Sequence, residues 1–214
     1  MSCLIDIDEE KKIYENTFDI NIKQNECDKY KPDGINWYIT KDLTPYKIDA
    51  ITNYEAQTMF LDILKNENSV LEHCCFHKDF FKINIDNLKI VSIGNIRIKS
   101  NLRNKSIVKK LFNNQKKVYF KNDFNFIILN ALLEASFIWY KIGFEFVSLE
   151  DKQKIEKLFR DYLLSKKDIL RLETKDIIKI KLDTAKKEYF NGFRDFLESL
   201  NQDKYIPMFQ KIKD

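Results

Sequence analysis

Glycine, proline and long apolar runs are scarce in this chain. Only four glycines and three prolines occur among 214 residues, so a glycine at the end of an apolar segment marks a specific backbone requirement. No run of about 18 or more apolar residues occurs, which excludes a conventional membrane-spanning helix. The first ten residues are acidic and lack the basic and then apolar regions of a signal peptide.

Cysteine is sparse as well. The spacing of the four cysteines is not that of a disulfide framework; they are Cys3, Cys27, Cys74 and Cys75. We therefore expect a cytoplasmic protein with free thiols and no membrane association.

What is present is the composition of a folded protein. Apolar residues make up 44% of the chain and aromatic residues 14%, which argues against a disordered chain. The length allows one substantial core, or one core and an appendage. The formal net charge of +4 is modest.

The residue patterns divide the chain into three parts. Residues 1–34 are polar and irregular and predict a flexible or loosely docked arm. Residues 35–148 alternate between strand and helix patterns, as in a mixed α/β domain, and residues 149–214 read as a helical C-terminal extension. The predicted strands are residues 35–40, 80–85, 88–98, 118–120 and 144–147, and the predicted helices are residues 48–65, 104–116 and 124–142.

A long apolar stripe occurs in the C-terminal part. Its members recur every three or four residues, as on one face of a helix: Ile178, Leu182, Ala185, Tyr189, Phe193, Phe196 and Leu200. Such a stripe is typical of a core face or a subunit contact and not of a cofactor site. Self-association through the C-terminal helices is therefore one expectation.

Charge is distributed most unevenly between Asp86 and Asp123. No acidic residue lies between them, whereas ten basic residues do: Lys89, Arg97, Lys99, Arg103, Lys105, Lys109, Lys110, Lys116, Lys117 and Lys121. A solvated lysine-rich face would explain the excess of lysine but not the missing acids. The segment favours an anion site, for the phosphates of a cofactor or of nucleic acid.

The same segment has the pattern of a strand followed by a helix. An apolar strand ends near residue 98, and a polar turn, residues 100–105, leads directly into the predicted helix. A helix N-terminus presents unpaired backbone N–H groups and the positive end of a dipole, which suit a pyrophosphate. Arg103, Lys105 and Lys109 would add positive charge there.

A second informative segment ends at Gly143. An aromatic-rich helical pattern over residues 135–142 precedes this glycine, and a strand-like Phe144-Glu145-Phe146-Val147 follows it. Glycine in this position predicts a helix C-cap, because only a residue without Cβ takes a left-handed conformation at little cost. Tyr140 then lies near the end of a helix, from which its hydroxyl can reach a cleft.

Together, these segments resemble two motifs of the GCN5-related N-acetyltransferase (GNAT) family. The cofactor motif of the family runs apolar-x-apolar-x-Pro-x-x-Arg-Gly-x-Gly-apolar-Gly. The chain has Ile96-Arg97-Ile98-Lys99-Ser100-Asn101-Leu102-Arg103-Asn104-Lys105-Ser106-Ile107-Val108. The strand residues, the arginine and the later apolar position match, whereas Ser100 replaces the proline and Asn104, Ser106 and Val108 replace the glycines.

The later motif of the family runs Ala-x-x-Leu-Tyr-x-x-x-Gly-Phe. The chain has Ser136-Phe137-Ile138-Trp139-Tyr140-Lys141-Ile142-Gly143-Phe144. Tyrosine, glycine and phenylalanine recur in the same order, the alanine is displaced by one to Ala135, and Trp139 stands for the leucine. The resemblance covers residues 35–148.

The resemblance implies a GNAT-like mixed, mainly antiparallel sheet flanked by helices, and acetyl transfer from acetyl-CoA to an amine. It further implies that the backbone at Ile96 and Ile98 pairs with the pantetheine arm. Tyr140 would be the general acid that protonates the leaving CoA thiolate. The pyrophosphate would be held by the segment from Arg103 to Lys109, that is Arg103, Asn104, Lys105, Ser106, Ile107, Val108 and Lys109.

The sequence leaves the acceptor and the base open. The acceptor is an amine of a small molecule or of a protein. No carboxylate lies on the strand near residues 93–98, so Glu55, Glu134 and Glu145 are candidate bases beside a water chain. Without its three glycines, the cofactor motif binds CoA through lysine and arginine charge or no longer binds it. In the second case the domain is a catalytically inactive interaction or binding module.

A further alternative is nucleic-acid binding through the basic segment 89–121. Aromatic residues interleave with the lysines there and could stack on bases; the candidates are Tyr119, Phe120, Phe124 and Phe126. Aromatic residues at this density are more often part of a core.

The two histidines of the chain flank a cysteine pair in His73-Cys74-Cys75-Phe76-His77. If helical, His73 and His77 would share a face and could bind a metal with a cysteine. No glutamate follows His73 as in a metalloprotease helix, and no second Cys/His pair completes a structural site. Buried cysteines beside partly exposed histidines are the favoured interpretation, and no metal site is predicted.

Overall fold

The structure is a computed structural model that describes residues 4–18, 22–25, 38–41, 44–47, 54–63, 75–83, 87–94, 107–200 and 204–212. The chain forms two compact units, Met1–Leu129 with Phe209–Asp214, and Asn130–Met208. The boundary between the units follows residue 129, whereas the sequence patterns divide the chain after residues 34 and 148.

The first unit contains a mixed sheet with the strand order β1-β4-β5-β6-β7. Strands β1 (Ile22–Asn25), β4 (Tyr54–Ile63), β5 (Cys75–Ile83) and β6 (Leu88–Ile93) pair antiparallel in this order, and β7 (Phe126–Leu132) pairs parallel with β6. The registers set Ile22 opposite Ile63, Tyr54 opposite Ile83, Ile83 opposite Leu88, and Ile90 opposite Phe126. The predicted mixed, mainly antiparallel sheet is confirmed.

Two further strand features belong to this unit. Strands β2 (Tyr38–Lys41) and β3 (Thr44–Lys47) form a separate antiparallel pair, which confirms a strand near the predicted residues 35–40. The end of β9 (Tyr205–Lys211) lies beside β7, where the Ile212 N–H donates to the Asn125 carbonyl over 2.9 Å.

Two helices flank the sheet of the first unit. Helices α1 (Ile7–Phe18) and α2 (Ile107–Lys121) pack on each other. Buried Leu111 and Tyr119 lie on α2, and Phe80, Tyr119 and Phe124 meet edge to face with ring centroids 5.8–6.3 Å apart. The predicted mixed α/β fold is therefore confirmed.

The sequence predicts a flexible or loosely docked arm over residues 1–34, of which the structure describes residues 4–18 and 22–25. Ile5 and Tyr14 are buried, and β1 pairs with β4. The polar composition of the segment conceals this packing, because about one buried side chain per turn is enough to hold a helix against its neighbours.

The second unit is mostly helical. Its elements are α3 (Leu133–Lys141), β8 (Glu145–Phe146), α4 (Leu149–Ser165), α5 (Lys167–Leu170), α6 (Thr174–Ile177), a 3₁₀ turn (Lys187–Phe190), α7 (Phe193–Ser199) and the first part of β9, which lies beside β8. Ser148 caps α4, because its hydroxyl accepts the Asp151 N–H over 3.2 Å. No helix in the described ranges is long and apolar enough to cross a membrane.

Aromatic side chains form the core of the second unit. The Phe159 ring stacks on Phe190 with centroids 4.6 Å apart, and Phe193 meets both Phe137 and Phe159 edge to face at 5.3 and 5.0 Å. Tyr162 packs against Phe193 at 5.5 Å. These contacts join α3, α4, α7 and the 3₁₀ turn.

Three predicted elements are wrong in type. The helix predicted over residues 48–65 contains strand β4, which pairs with β5 over nine residues and also with β1. The apolar residues of this segment fit both the helical and the strand period. Pairing with β1 and β5 stabilises the strand. The strand predicted over residues 118–120 is the last turn of α2, and the helix predicted over residues 124–142 is β7 followed by α3.

The C-terminal part also departs from the predicted run of helices. The apolar stripe from Ile178 to Leu200 is divided among a turn region, the 3₁₀ turn and α7, and β9 follows as a strand. The left-handed Gly192, with φ 81°, begins α7 and interrupts the helical repeat. Leu182 and Phe193 are buried in the unit, whereas Ile178 is exposed, so the stripe acts mainly as a core face.

Candidate active site

A β6–α2–β7 crossover is the central feature of the first unit. Strand β6 ends at Ile93, opposite Leu129 of the parallel strand β7, and α2 connects the two strands. At the carboxyl ends of parallel strands, such a crossover brings a helix N-terminus close to the sheet, which is the usual position of phosphate-bearing ligands in α/β sheets.

Most of the predicted cofactor cradle lies outside the described residues. This applies to Ile96, Ile98, Arg103, Asn104, Lys105 and Ser106. The last three predicted positions, Ile107, Val108 and Lys109, form the first turn of α2. Lys109 is exposed, and the first turn contains no acidic residue. The start of α2 therefore combines the positive end of the helix dipole with lysine charge.

Three further lysines of the basic segment lie on one face of α2. Lys110, Lys117 and Lys121 are exposed, and Phe120 is 57% exposed. The other three proposed stacking aromatics, Tyr119, Phe124 and Phe126, are buried in the core. They cannot stack on bases, so this part of the nucleic-acid hypothesis is wrong.

The structure confirms the predicted helix end at Gly143. Its φ is 103°, its N–H donates to the Tyr140 carbonyl over 3.0 Å, and the Phe144 N–H donates to the Trp139 carbonyl over 3.1 Å. These two bonds define a Schellman motif. The Trp139 and Phe144 rings meet at 5.3 Å and supply the hydrophobic contact that usually accompanies it.

The spacing of the later motif assigns Trp139 and not Tyr140 to the tyrosine position. The motif has three residues between its tyrosine and glycine, whereas only two separate Tyr140 from Gly143. Counted from Gly143, Ala135 and Ile138 take the alanine and leucine positions and Trp139 takes the tyrosine position, so the displaced alanine and the assignment of Trp139 to the leucine were wrong. Trp139 carries no phenol, so Tyr140 is the adjacent residue able to act as an acid.

Tyr140 is half-buried at the end of α3. Its ring stacks on Phe146 of β8 with centroids 5.4 Å apart and an interplanar angle of 29°. The Lys152 ammonium lies 5.8 Å from the centre of the Tyr140 ring. The ring is therefore held between β8 and the first turns of α4.

Tyr140 also lines a cavity of about 520 Å³ within the second unit. Residues from α3, β8 and the segment before α7 form its walls, among them Lys141, Glu145, Lys187 and Phe190. Of the three candidate bases, Glu145 thus lines the cavity with Tyr140. Glu134 lies in the first turn of α3, and Glu55 lies in β4.

Lys141 has an unusual environment in this cavity. Its ammonium lies 4.1 Å from the centre of the Phe190 ring, although the residue as a whole is exposed. Partial loss of hydration, and then the nearby charge of Lys187, lower the pKa of Lys141 below its ordinary value.

The sequence did not reveal a buried polar cluster in the first unit. Glu10 of α1 accepts hydrogen bonds from Lys78 of β5 and from Gln115 and Tyr119 of α2; the last two are 3.0 and 2.6 Å long. Lys78 also donates to the Tyr119 hydroxyl over 2.6 Å, and its ammonium lies 4.8 Å from the Tyr14 ring centre. The exclusion of Lys78 and Glu10 from solvent was unpredictable, because the two residues are 68 positions apart.

The histidine–cysteine cluster lies partly in a strand. Cys75 and His77 belong to β5, so the helical face assumed for the two histidines is wrong at His77. His73 and Cys74 lie outside the described residues. Within the ranges that the structure describes, no three His, Cys, Asp or Glu side chains gather as metal ligands would.

Comparisons with known proteins found similarity in solved structures alone. No family model matches the chain, and no curated protein matches it. A GNAT family acetyltransferase from Staphylococcus aureus Mu50 is 11% identical over 73% of this chain and 69% of its own, with a TM-score of 0.35.

Two further solved structures are similar to this chain. Tetrahymena GCN5 is 15% identical over 74% of this chain and 69% of its own, with a TM-score of 0.33. A GNAT family acetyltransferase from Elizabethkingia anophelis, solved with acetyl-CoA bound, is 16% identical over 59% of this chain and 76% of its own, with a TM-score of 0.29. TM-scores this low do not establish a shared fold.

Proposed function

We propose that the chain is an acyl-CoA-dependent N-acetyltransferase that transfers an acetyl group from acetyl-CoA to an amine. The β6–α2–β7 crossover carries the proposal, because its helix begins in a segment that has ten basic residues and no acidic one. A pyrophosphate needs such a combination of free backbone N–H groups and positive charge.

Residues before and at the start of α2 would bind different parts of acetyl-CoA. The backbone at Ile96 and Ile98 would pair with the pantetheine arm. The pyrophosphate would lie against the segment from Arg103 to Ser106 and the first turn of α2, with Lys109 supplying charge. Since Asn104 and Val108 replace glycines, charge takes over part of the binding that close backbone approach would otherwise provide.

The two proton transfers of the reaction are assigned to two side chains. Tyr140 would protonate the leaving thiolate, because the ordinary pKa of a phenol, near 10, is close to that of a thiol. Glu145, which lines the same cavity, would accept the proton of the amine. A carboxylate there would act directly or through one water molecule.

Isothermal titration with acetyl-CoA tests the cofactor site. We expect Lys109→Glu to weaken binding at least about tenfold, because a charge-assisted contact becomes a repulsion. Lys117→Glu is the matched control: it changes charge equally on the same exposed face, about 12 Å further along α2, and should change Kd less than about twofold. Equal effects of the two variants would show that acetyl-CoA is not held at the start of α2.

Measurements of turnover test whether Tyr140 is the general acid. With acetyl transfer to a panel of primary amines followed as free CoA, we expect Tyr140→Phe to lower kcat about 100-fold or more, because the thiolate then leaves without a proton. Tyr205→Phe removes an exposed hydroxyl and serves as the control. Unchanged kcat in Tyr140→Phe would remove Tyr140 from the mechanism.

One observation favours a second candidate, an inactive module that keeps the fold. Trp139 occupies the motif position of the tyrosine, where it closes the helix end against Phe144. An inactive module would show neither acetyl-CoA binding nor free CoA release, and the two experiments above therefore separate the candidates.

A further inference from the structure

The cavity beside Tyr140 has features that acetyl transfer alone does not require. Two lysines, Lys141 and Lys187, line it together. Among the described residues, neither ammonium has a carboxylate within salt-bridge distance; the Asp183 carboxylate, which also lines the cavity, pairs with Lys152 at 3.1 Å. The two cations repel each other, and an anion between them would relieve this repulsion.

An apolar wall lies next to the two ammonium groups. Phe144 is buried and Phe190 is half-buried, and both line the cavity. The Phe190 ring is fixed between neighbours, because it stacks on Phe159 at 4.6 Å and on Phe137 at 6.2 Å. Because Phe159 and the Lys141 ammonium lie over the faces of the Phe190 ring, the exposed edge of this ring is the part that a bound ring or apolar chain would contact.

We infer that this cavity binds a small molecule in which an apolar ring or chain carries a carboxylate or phosphate, with Lys141 and Lys187 contacting the anionic group. The inference of binding stands on these contacts alone. A further step rests on the proposed function: since Tyr140 and Glu145 line the same cavity, the acetyl acceptor is an amine that bears an anionic group.

Binding is measured on the full chain without acetyl-CoA, with 3-phenylpropionate and phenyl phosphate as the probes and 2-phenylethanol as the uncharged comparison. We expect both anions to bind at least about tenfold more tightly than the alcohol, with affinity falling as salt rises. The tighter of the two anions identifies the anionic group. Equal affinity for the alcohol and both anions would overturn the inference.

Variants locate the site. The double variant Lys141→Met/Lys187→Met should lose roughly tenfold or more in anion affinity and keep its affinity for 2-phenylethanol, which also shows that it is folded. Lys186→Met is the control, because Lys186 is an exposed neighbour that does not line the cavity. Unchanged anion binding in the double variant, or equal loss in the control, would contradict the inference.

Acetylation tests the acceptor class separately. We expect 4-(aminomethyl)benzoate to be acetylated with a kcat/KM roughly tenfold above that of benzylamine, and the double variant to lose this preference. Equal kcat/KM for the two amines would overturn the acceptor class while leaving anion binding intact. If acetyl-CoA neither binds nor reacts but the anions bind as expected, the proposed function fails and the cavity inference holds.

Discussion

At the scale of single residues, the conformation of Gly143 and the role of Tyr140 have different physical origins. The conformation of Gly143 follows from local chemistry, since a φ of 103° is costly for a residue with a Cβ. The role of Tyr140 depends on what enters the cavity that it lines, and its neighbour Trp139 takes the motif position. The glycine thus indicates the local backbone conformation from the sequence alone. The role of the tyrosine becomes apparent only from the residues that surround it in the folded chain.

Gly143→Ala tests the helix end. We expect the free energy of unfolding in urea to fall by about 1 kcal/mol, because alanine resists the left-handed conformation. Gly143→Asn should lose less, since asparagine tolerates this conformation better. Equal stability of both variants and the parent protein would contradict a left-handed conformation at this position.

At the scale of elements, a buried polar cluster connects α1 with β5 and α2. Glu10, Lys78 and Tyr119 are fully buried, and Glu10 Oε1 accepts from three different side chains. A carboxylate without its counter-ion in such a place is costly, so the cluster specifies one position of α1 on its neighbours. Lys121 and Glu9 form an exposed ion pair between the same two helices.

Lys78→Met should destabilise the protein by roughly 3–5 kcal/mol, because it leaves the Glu10 carboxylate buried without a cation. The double variant Lys78→Met/Glu10→Leu should recover part of this loss. Lys121→Met breaks the exposed pair and should cost less than about 1 kcal/mol. Urea unfolding measures all three; a double variant less stable than Lys78→Met would contradict a coupled ion pair.

At the scale of the whole molecule, buried ionisable groups make stability depend on pH. Burial, followed by the charge of Glu10, raises the pKa of Tyr14 and of Tyr119 well above the ordinary value of 10.0. Burial also lowers the pKa of Lys78 below 10.5, against the opposing effect of Glu10. The two tyrosines and the lysine therefore act in opposite directions at alkaline pH.

Above about pH 10, the effect of the two tyrosines on the free energy of unfolding should exceed that of Lys78. In the unfolded chain they ionise near pH 10, whereas in the folded chain they keep their protons, so the stability they contribute is present below pH 10 and lost as pH rises further. Lys78 adds stability as pH rises toward its unfolded pKa, a smaller and opposite change. Urea unfolding between about pH 8 and pH 11, with tyrosine absorbance, measures this.

Two variants test whether Tyr119 causes the loss of stability at alkaline pH. Tyr119→Phe should reduce the loss of stability above about pH 10, whereas Tyr205→Phe, which removes an exposed phenol, should leave it unchanged. A profile equally steep in Tyr119→Phe and in the parent protein would show that Tyr119 is not a source of the effect.

Prediction from sequence succeeded where the cause is local. The cap at Gly143, the strand that begins at Leu88 and the helix in the acid-free segment depend on neighbouring residues, and the structure confirms them. It failed for β4, where pairing with β5 and β1 overrode a pattern that also fits a helix. Nothing in the sequence around Lys78 or Glu10 indicates that they are buried, because a lysine or a glutamate alone is typical of a protein surface. The two side chains meet only in the folded chain.

The sequence by itself determined the mixed α/β class, the helix end at Gly143 and the concentration of positive charge around the start of α2, because these depend on composition, backbone freedom and short spacings. Only the tertiary structure decided that Lys78 and Glu10 are buried together and that Tyr140, Glu145, Lys141 and Lys187 line one cavity. Such groupings depend on contacts between residues far apart in the chain, whose free energy no short stretch of sequence contains.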